Sequence, residues 1–183
     1  MEDTTGHQYQ NPSIKGSSKA VLVTGGAGYV GSHTCKFLAK NGYTPVVIDR
    51  DTKTKFKPAQ FGPIFDINLP QEIERLDEII KRFNITSCIH FAGSASVAES
   101  VKDPSEYYKN NVIATVVLLD KLIECGVNTF VYSSSAATYG DPGMRLCRES
   151  DWPKPISAYG ASKLMMEMIC KDYQRAYGLA VLD

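Results

Sequence analysis

The sequence predicts an α/β fold, a doubly wound and mostly parallel sheet, and three observations point to it. Short apolar runs rich in Val and Ile alternate with longer stretches whose apolar residues recur at helical spacing. The first run, Val21-Leu22-Val23-Thr24, stops at Gly25-Gly26-Ala27-Gly28, and a helix-like pattern follows at once. Later runs end in small residues, Ala92-Gly93-Ser94 and Ser133-Ser134-Ser135, where a ligand can lie close to the backbone at the carboxyl edge of a parallel sheet.

The 183 residues suffice for one good-sized core. Lys plus Arg and Asp plus Glu number 20 each, so no global field attracts nucleic acid or anionic lipid. No apolar run approaches the ~18 residues of a membrane span, and the amino terminus lacks a signal-peptide plan, so a cytoplasmic location is expected. Five scattered cysteines (Cys35, Cys88, Cys125, Cys147, Cys170) form no Cys-x-x-Cys pair. Buried reduced thiols are expected, and a structural metal is not.

Met1 to Ser18 is polar and without periodicity, and is expected to be a disordered tail ahead of one nucleotide-binding domain over 19–183. The first strand leads into Gly26-x-Gly28-x-x-Gly31, extended by Gly25, the pattern of a dinucleotide-binding turn. Glycine there lets the chain turn sharply and admits a pyrophosphate without a Cβ in the way, while N–H groups at the helix start face the anion. Val30, Cys35, Phe37 and Leu38 recur along that helix. Tyr43 to Asp49 is the second strand, ending about 20 residues past the turn on a carboxylate placed for ribose hydroxyls. Asp49 favours NAD over NADP by repelling a 2′-phosphate, and the neighbouring Arg50 works against that preference.

Thr52 to Pro63 reads as an exposed loop, Ile64 to Ile67 as a short strand end, and Pro70 to Asn84 as an amphipathic helix. Asp66 is placed either to reach an adenine amino group or to cap a helix. Thr86 to Phe91 is a strand in which His90 reads as a packed core residue. Pro104 to Cys125 reads as one long helix. Of its early Asn110 and Asn111, one is expected to hydrogen-bond across the site and the other to be exposed. Thr129 to Tyr132 is a strand ending in the serine run, Gly140 to Pro155 an irregular loop, and Leu179 to Leu182 the start of a further strand. The helix from Ser157 carries Leu164, Met165, Met168 and Ile169 on one face, with its methionines read as core.

Tyr159 and Lys163 are one helical turn apart and share a face. A phenol titrates near about 10 in water, and a fixed ammonium favours its phenolate. Such a pair can take a proton from an alcohol while hydride leaves the same carbon, with Ser135 orienting the hydroxyl.

Thr24-Gly-Gly-Ala-Gly-Tyr-Val-Gly-Ser-His33, His90-Phe-Ala-Gly93, Tyr107-Tyr-Lys-Asn-Asn-Val112, Tyr132-Ser-Ser-Ser-Ala-Ala-Thr-Tyr-Gly140 and Tyr159-Gly-Ala-Ser-Lys163 together resemble the extended short-chain dehydrogenase/reductase family. The closest likeness is to its branch that inverts C4 of UDP-hexoses, and it runs from Lys19 to Asp183. The resemblance implies a Rossmann sheet, bound NAD, a UDP-sugar substrate (UDP-glucose/UDP-galactose) oxidised transiently to a 4-keto sugar, and a homodimer. It implies Tyr159 as base, Lys163 as its partner and a nicotinamide-ribose ligand, and Ser135 on the sugar oxygen. The implied cofactor contacts are Gly25, Gly28, Tyr29, Val30, Gly31, Asp49, Asp66, Ile67, Phe91, Ala92, Gly93 and Asn110. Ala136-Ala137 stands where dehydratase relatives carry an Asp-Glu pair. Ala95 replaces a frequent lysine near the cofactor, and Arg50 a common Asn. The family continues beyond Asp183 with a domain that holds UDP. Two other readings stand beside this one: an NAD-binding fragment without turnover, and another nucleotide-sugar enzyme such as a decarboxylase or reductase.

Overall fold

Residues 19–52 and 60–182 are described by the structure, a computed structural model. Every residue of β1 (Ala20–Thr24) is buried, as a strand covered on both faces requires. It pairs in parallel with β2 (Thr44–Asp49) on one side and β4 (Ser87–His90) on the other. β3 (Ile64–Asp66) continues the sheet beyond β2, and β5 (Thr129–Tyr132) and β6 (Ala180–Leu182) continue it beyond β4. The order is β3-β2-β1-β4-β5-β6 with every pairing parallel, the doubly wound sheet that the sequence predicts. Chain direction across the sheet reverses between β1 and β4, so a crevice opens there at the carboxyl ends of the strands.

Side chains alternate across the sheet. Val21, Val23 and Val47 pack with Cys35 of α1 (Tyr29–Lys40) on one face. Leu22, Val46, Ile48 and Phe130 face the larger core, with Leu76 and Ile80 of α2 (Leu76–Phe83), Leu118 and Leu122 of α5 (Ala114–Glu124), and Met166 of α6 (Ala158–Tyr177). The segment before α2 is a single 3-10 turn (Ile73–Arg75), so the helix expected over 70–84 is shorter at its start.

Four expectations are corrected. The long helix over 104–125 is instead α4 (Pro104–Tyr107), a π-helical turn (Tyr108–Ile113) and α5, preceded by the short α3 (Val97–Lys102). The wider turn coincides with Asn110 and Asn111, whose polar side chains interrupt the apolar spacing and hide it. On α6 the buried face is Gly160, Ser162, Lys163, Met166 and Cys170, while Met165 and Met168 are exposed. Polar residues occupy core-facing positions there, so apolar spacing points to the wrong side. Val30 and Phe37 of α1 are likewise exposed. Cys35, Cys88 and Cys170 are buried, but Cys125 is half-buried and Cys147 is exposed in the irregular 140–156 loop. The tail Met1–Ser18 and the loop centre 53–59 lie outside the described residues. Among the described residues, no helix is long and apolar enough to cross a membrane.

Candidate functional site

The crevice is built first by the turn between β1 and α1. Gly25 has φ +68°, and a Cβ on it would lie 2.6 Å from the Ala92 nitrogen, so both dihedral and space demand glycine. A Cβ on Gly31 would meet the Gly25 carbonyl oxygen at 2.4 Å, which is why α1 can start so close to the sheet. Gly28 precedes α1 without a capping side chain, and no acidic residue stands in the first turn. The positive end of the helix dipole is therefore left for an external anion. At the tip of β2, Asp49 accepts from Ala27 N at 3.0 Å through Oδ2 and from Asp51 N at 3.1 Å through Oδ1. The first bond ties its carboxylate to the glycine turn, and the second holds it against the chain that leaves β2.

A cleft of about 290 Å³ lies at this edge. Of the residues the sequence singles out, it brings together Gly25, Gly28, Asp49, Ile67, Phe91, Ala92, Gly93 and Asn110. Gly31 is buried behind the turn, and Tyr29 and Val30 are exposed in the first turn of α1. Asp66 is exposed and does not line the cleft, although its strand register sets it beside Asp49. Arg50, Asp51, Asn68, Leu69, His90 and Ala114 also line it. Asn68 and Leu69 follow β3 as Arg50 follows β2, and this carboxyl-edge position is the signal that could have found them.

His90 sits within a relay of hydroxyls. Thr115 Oγ1 donates to the Asn111 carbonyl at 2.5 Å, so it can only accept from His90 Nε2, 3.1 Å away. Nε2 therefore carries the proton, and Nδ1 accepts from Thr24 Oγ1 at 2.6 Å. Thr24 Oγ1 in turn accepts from Ala92 N at 3.3 Å. Burial, helped by the positive Lys163, pushes the His90 pKa down to about 3, which keeps the ring neutral. The core role read from sequence is the observed one, and the ring also forms part of the cleft floor.

Lys163 is buried on α6 and donates to the Ser133 carbonyl at 2.9 Å, just past β5. Its ammonium stands 6.0 Å from the centre of the Tyr159 ring. Desolvation brings its pKa down to about 8, so it is still largely charged at neutral pH. Ser135 caps the 3-10 turn Ala136–Tyr139 by accepting from Ala137 N at 3.2 Å. A Cβ on Gly160 would lie 2.4 Å from the Ala137 carbonyl oxygen, so the turn that Ser135 caps is packed on the helical turn that carries Tyr159. Ser133 N donates to the His90 carbonyl at 3.2 Å, which joins this group to the cleft. Asn110 donates to Ser94 Oγ at 3.1 Å and is half-buried rather than exposed. Asn111 is the fully buried one. The sequence points to one asparagine of the pair bonding across the site without saying which, and the role of its partner Ser162 has no sequence signal.

The fold and the cleft define a dinucleotide-binding domain of doubly wound type, with Ser135, Tyr159 and Lys163 outside the cleft lining and Lys163 linked to it through Ser133 and His90. The model of the NAD dependent epimerase/dehydratase family matches residues 21–182. The chain belongs to that NAD-dependent family. A UDP-glucose 4-epimerase of Rhizobium leguminosarum bv. trifolii is 41% identical over 162 residues, covering 88% of this chain and 49% of the relative. UDP-glucose 4-epimerase 2 of Arabidopsis thaliana is 39% identical over 172 residues, covering 87% and 48%. The crystal structure of the Brucella ovis UDP-glucose 4-epimerase with NAD superposes with a TM-score of 0.84 at 41% identity, covering 90% of this chain and 50% of that one. The Thermotoga maritima UDP-glucose 4-epimerase, solved with UDP-glucose, gives 0.80 at 33% identity, covering 88% and 53%. The chain thus spans about half the length of the relatives it matches.

Proposed function

We propose that this chain binds NAD and carries the catalytic groups for inverting C4 of a UDP-hexose, the UDP-glucose/UDP-galactose pair, through a transient 4-keto sugar in the cytoplasm. The observation that carries the reading is the buried ammonium of Lys163, held on Ser133 and facing the ring of Tyr159 one helical turn away. The site's features suit the cofactor: an uncapped helix end for pyrophosphate, a fixed Asp49 carboxylate for ribose hydroxyls, and a glycine-bounded cleft between them. Bound NAD supplies a hydride acceptor that later returns the hydride, so the reaction is an isomerisation without net redox change.

The protein groups handle the proton. Tyr159 takes it from the sugar 4-hydroxyl, with the Lys163 ammonium set one helical turn away on the same side. Little water screens that charge, because Lys163 is buried. Ser135 holds the same sugar oxygen by a hydrogen bond. Alanines 136 and 137 supply no carboxyl for eliminating water, which favours epimerisation over dehydration. The relatives' names support the UDP-hexose, and the Thermotoga structure with UDP-glucose supports it further.

The test joins the chain to the carboxyl-terminal half of the Rhizobium relative and follows UDP-galactose converting to UDP-glucose. Turnover is expected, and Tyr159→Phe is expected to lower it by orders of magnitude with NAD still bound. Near-normal turnover in that variant removes the role given to Tyr159. A joined protein that holds NAD yet converts neither sugar favours the second reading, a nucleotide-binding module without turnover.

A further inference from the structure

We propose that Asn111 and Ser162 form a positioning strut that sets the cofactor wall after β4 against the helical turn carrying Tyr159 and Lys163. The proposal rests on the NAD-binding reading above and assigns the two residues no contact with substrate.

The Asn111 side chain is fully buried and uses every hydrogen-bonding hydrogen it has. Its Oδ1 accepts from Ser94 N at 2.8 Å, and its Nδ2 donates to Ser94 O at 3.1 Å. The carboxamide thus pairs with Ser94 as a neighbouring strand would, continuing the edge where β4 has ended. The other Nδ2 hydrogen goes to Ser162 Oγ at 2.9 Å. Ser162 Oγ then donates to the carbonyl of Tyr159 at 2.7 Å. An unbroken path of three links, the first of them a pair of hydrogen bonds, therefore joins the backbone of Ser94 to the backbone of Tyr159. Ser94 N can only donate and the Tyr159 carbonyl can only accept, so the amide orientation and the direction of every bond are determined.

Two further features fit this purpose. The strut leaves the helical segment at the π-helical turn, where the wider winding sets Asn110 and Asn111 both toward Ser94. Gly93 has φ +153°, and a Cβ on it would approach Asn111 Oδ1 to 2.8 Å, so the wall closes onto the carboxamide only with glycine there. Ser162 is adjacent to Lys163, and both belong to the buried face of α6. A helix that loosens at Ser162 carries the ammonium away from Ser133 and lets water reach it. Small displacements of positioned groups cost large factors in ligand and transition-state recognition.

Ser162→Ala removes the last two bonds of the path, the one from Asn111 Nδ2 and the one to the Tyr159 carbonyl, while alanine keeps the helix and the packing. Two readouts are followed on the 183-residue chain. The first is the ligand-free Lys163 titration by NMR, which is expected to move up from its wild-type midpoint toward the usual lysine range. The second is the affinity for NAD against ADP, which shares the Gly28 and Asp49 end of the cleft but lacks the nicotinamide. NAD binding is expected to fall about tenfold with ADP binding unchanged. Asn111→Asp repeats the measurement from the other end, losing both donated bonds. An unmoved Lys163 midpoint in Ser162→Ala overturns the strut, and so does an equal loss of NAD and ADP. Should neither nucleotide bind the wild-type chain, the cofactor reading itself fails, and the Lys163 midpoint alone decides whether the strut holds α6.

Discussion

Lys163 donates its ammonium to the Ser133 carbonyl at 2.9 Å while only 5% of the residue reaches solvent. One hydrogen bond to a neutral carbonyl does not replace the water that burial removes, so the charge costs stability where it stands.

That cost has a defined pH window. Between about 8 and its usual 10.5, Lys163 holds fewer protons in the folded chain than in the unfolded one. Stability from this group therefore rises as pH climbs through that window, and the penalty is complete below it. Lys163→Met is expected to equal or exceed the wild type at pH ~7, by up to about 2 kcal/mol, with the difference shrinking near pH ~10. NAD affinity falls in the same variant. Urea unfolding at the two pH values checks this, and a methionine variant clearly less stable at neutral pH contradicts it.

Asp49 braces the glycine turn through Ala27 N and is also the group assigned to the ribose. Asp49→Asn keeps an acceptor for Ala27 and removes the charge. NAD affinity is expected to fall by about tenfold, in keeping with the loss of a charge-assisted hydrogen bond, and NADP affinity by much less. Equal losses for the two cofactors, measured by titration calorimetry, would remove the ribose argument.

Two glycines of one motif are expected to fail differently. A Cβ on Gly31 meets the Gly25 carbonyl oxygen at 2.4 Å, whereas one on Gly28 meets that same oxygen at 3.3 Å. Gly31→Ala is expected to lose about 1–3 kcal/mol of stability through overpacking. Gly28→Ala is expected to fold normally and to bind NAD weakly, since its methyl faces the cleft that Gly28 lines. Thermal unfolding with and without NAD separates the two, and a reversed pattern contradicts the assignment.

His90 is expected to show a protonated Nε2 and a bare Nδ1 by nitrogen NMR. Its folded pKa of about 3 lies below the usual 6.5, so the unfolded chain binds the proton first as pH falls. Stability is expected to decline as pH drops from that usual value toward about 3. An imidazole that titrates near its usual value, or a protonated Nδ1, contradicts the relay through Thr24 and Thr115.

The parts legible in the sequence are those whose signals are local. Val21 to Thr24 running into Gly25 to Gly31 marks a strand, a turn and a helix, and Tyr159 with Lys163 marks a shared helix face, because spacing alone fixes both. Less legible are features that depend on what a residue meets in space. Met165 and Met168 look like core until Ser162 and Lys163 are seen to occupy the buried face of α6. Asn111 cannot be told from Asn110 by spacing, because the π-helical turn that separates their roles breaks the regular period. Cys147 is expected to be buried with the other cysteines and is instead exposed, on the 140–155 loop that the sequence does mark.

The claim that this cleft holds NAD is tested most directly by titrating the purified 183-residue chain with NAD while following its thermal unfolding, with NADP as the control. A ligand that binds only the folded chain raises its unfolding midpoint with concentration. The expected result is a midpoint that climbs with NAD, climbs far less with NADP, and barely moves in Gly28→Ala. A folded chain whose midpoint is unmoved by NAD at about 1 mM would contradict the claim.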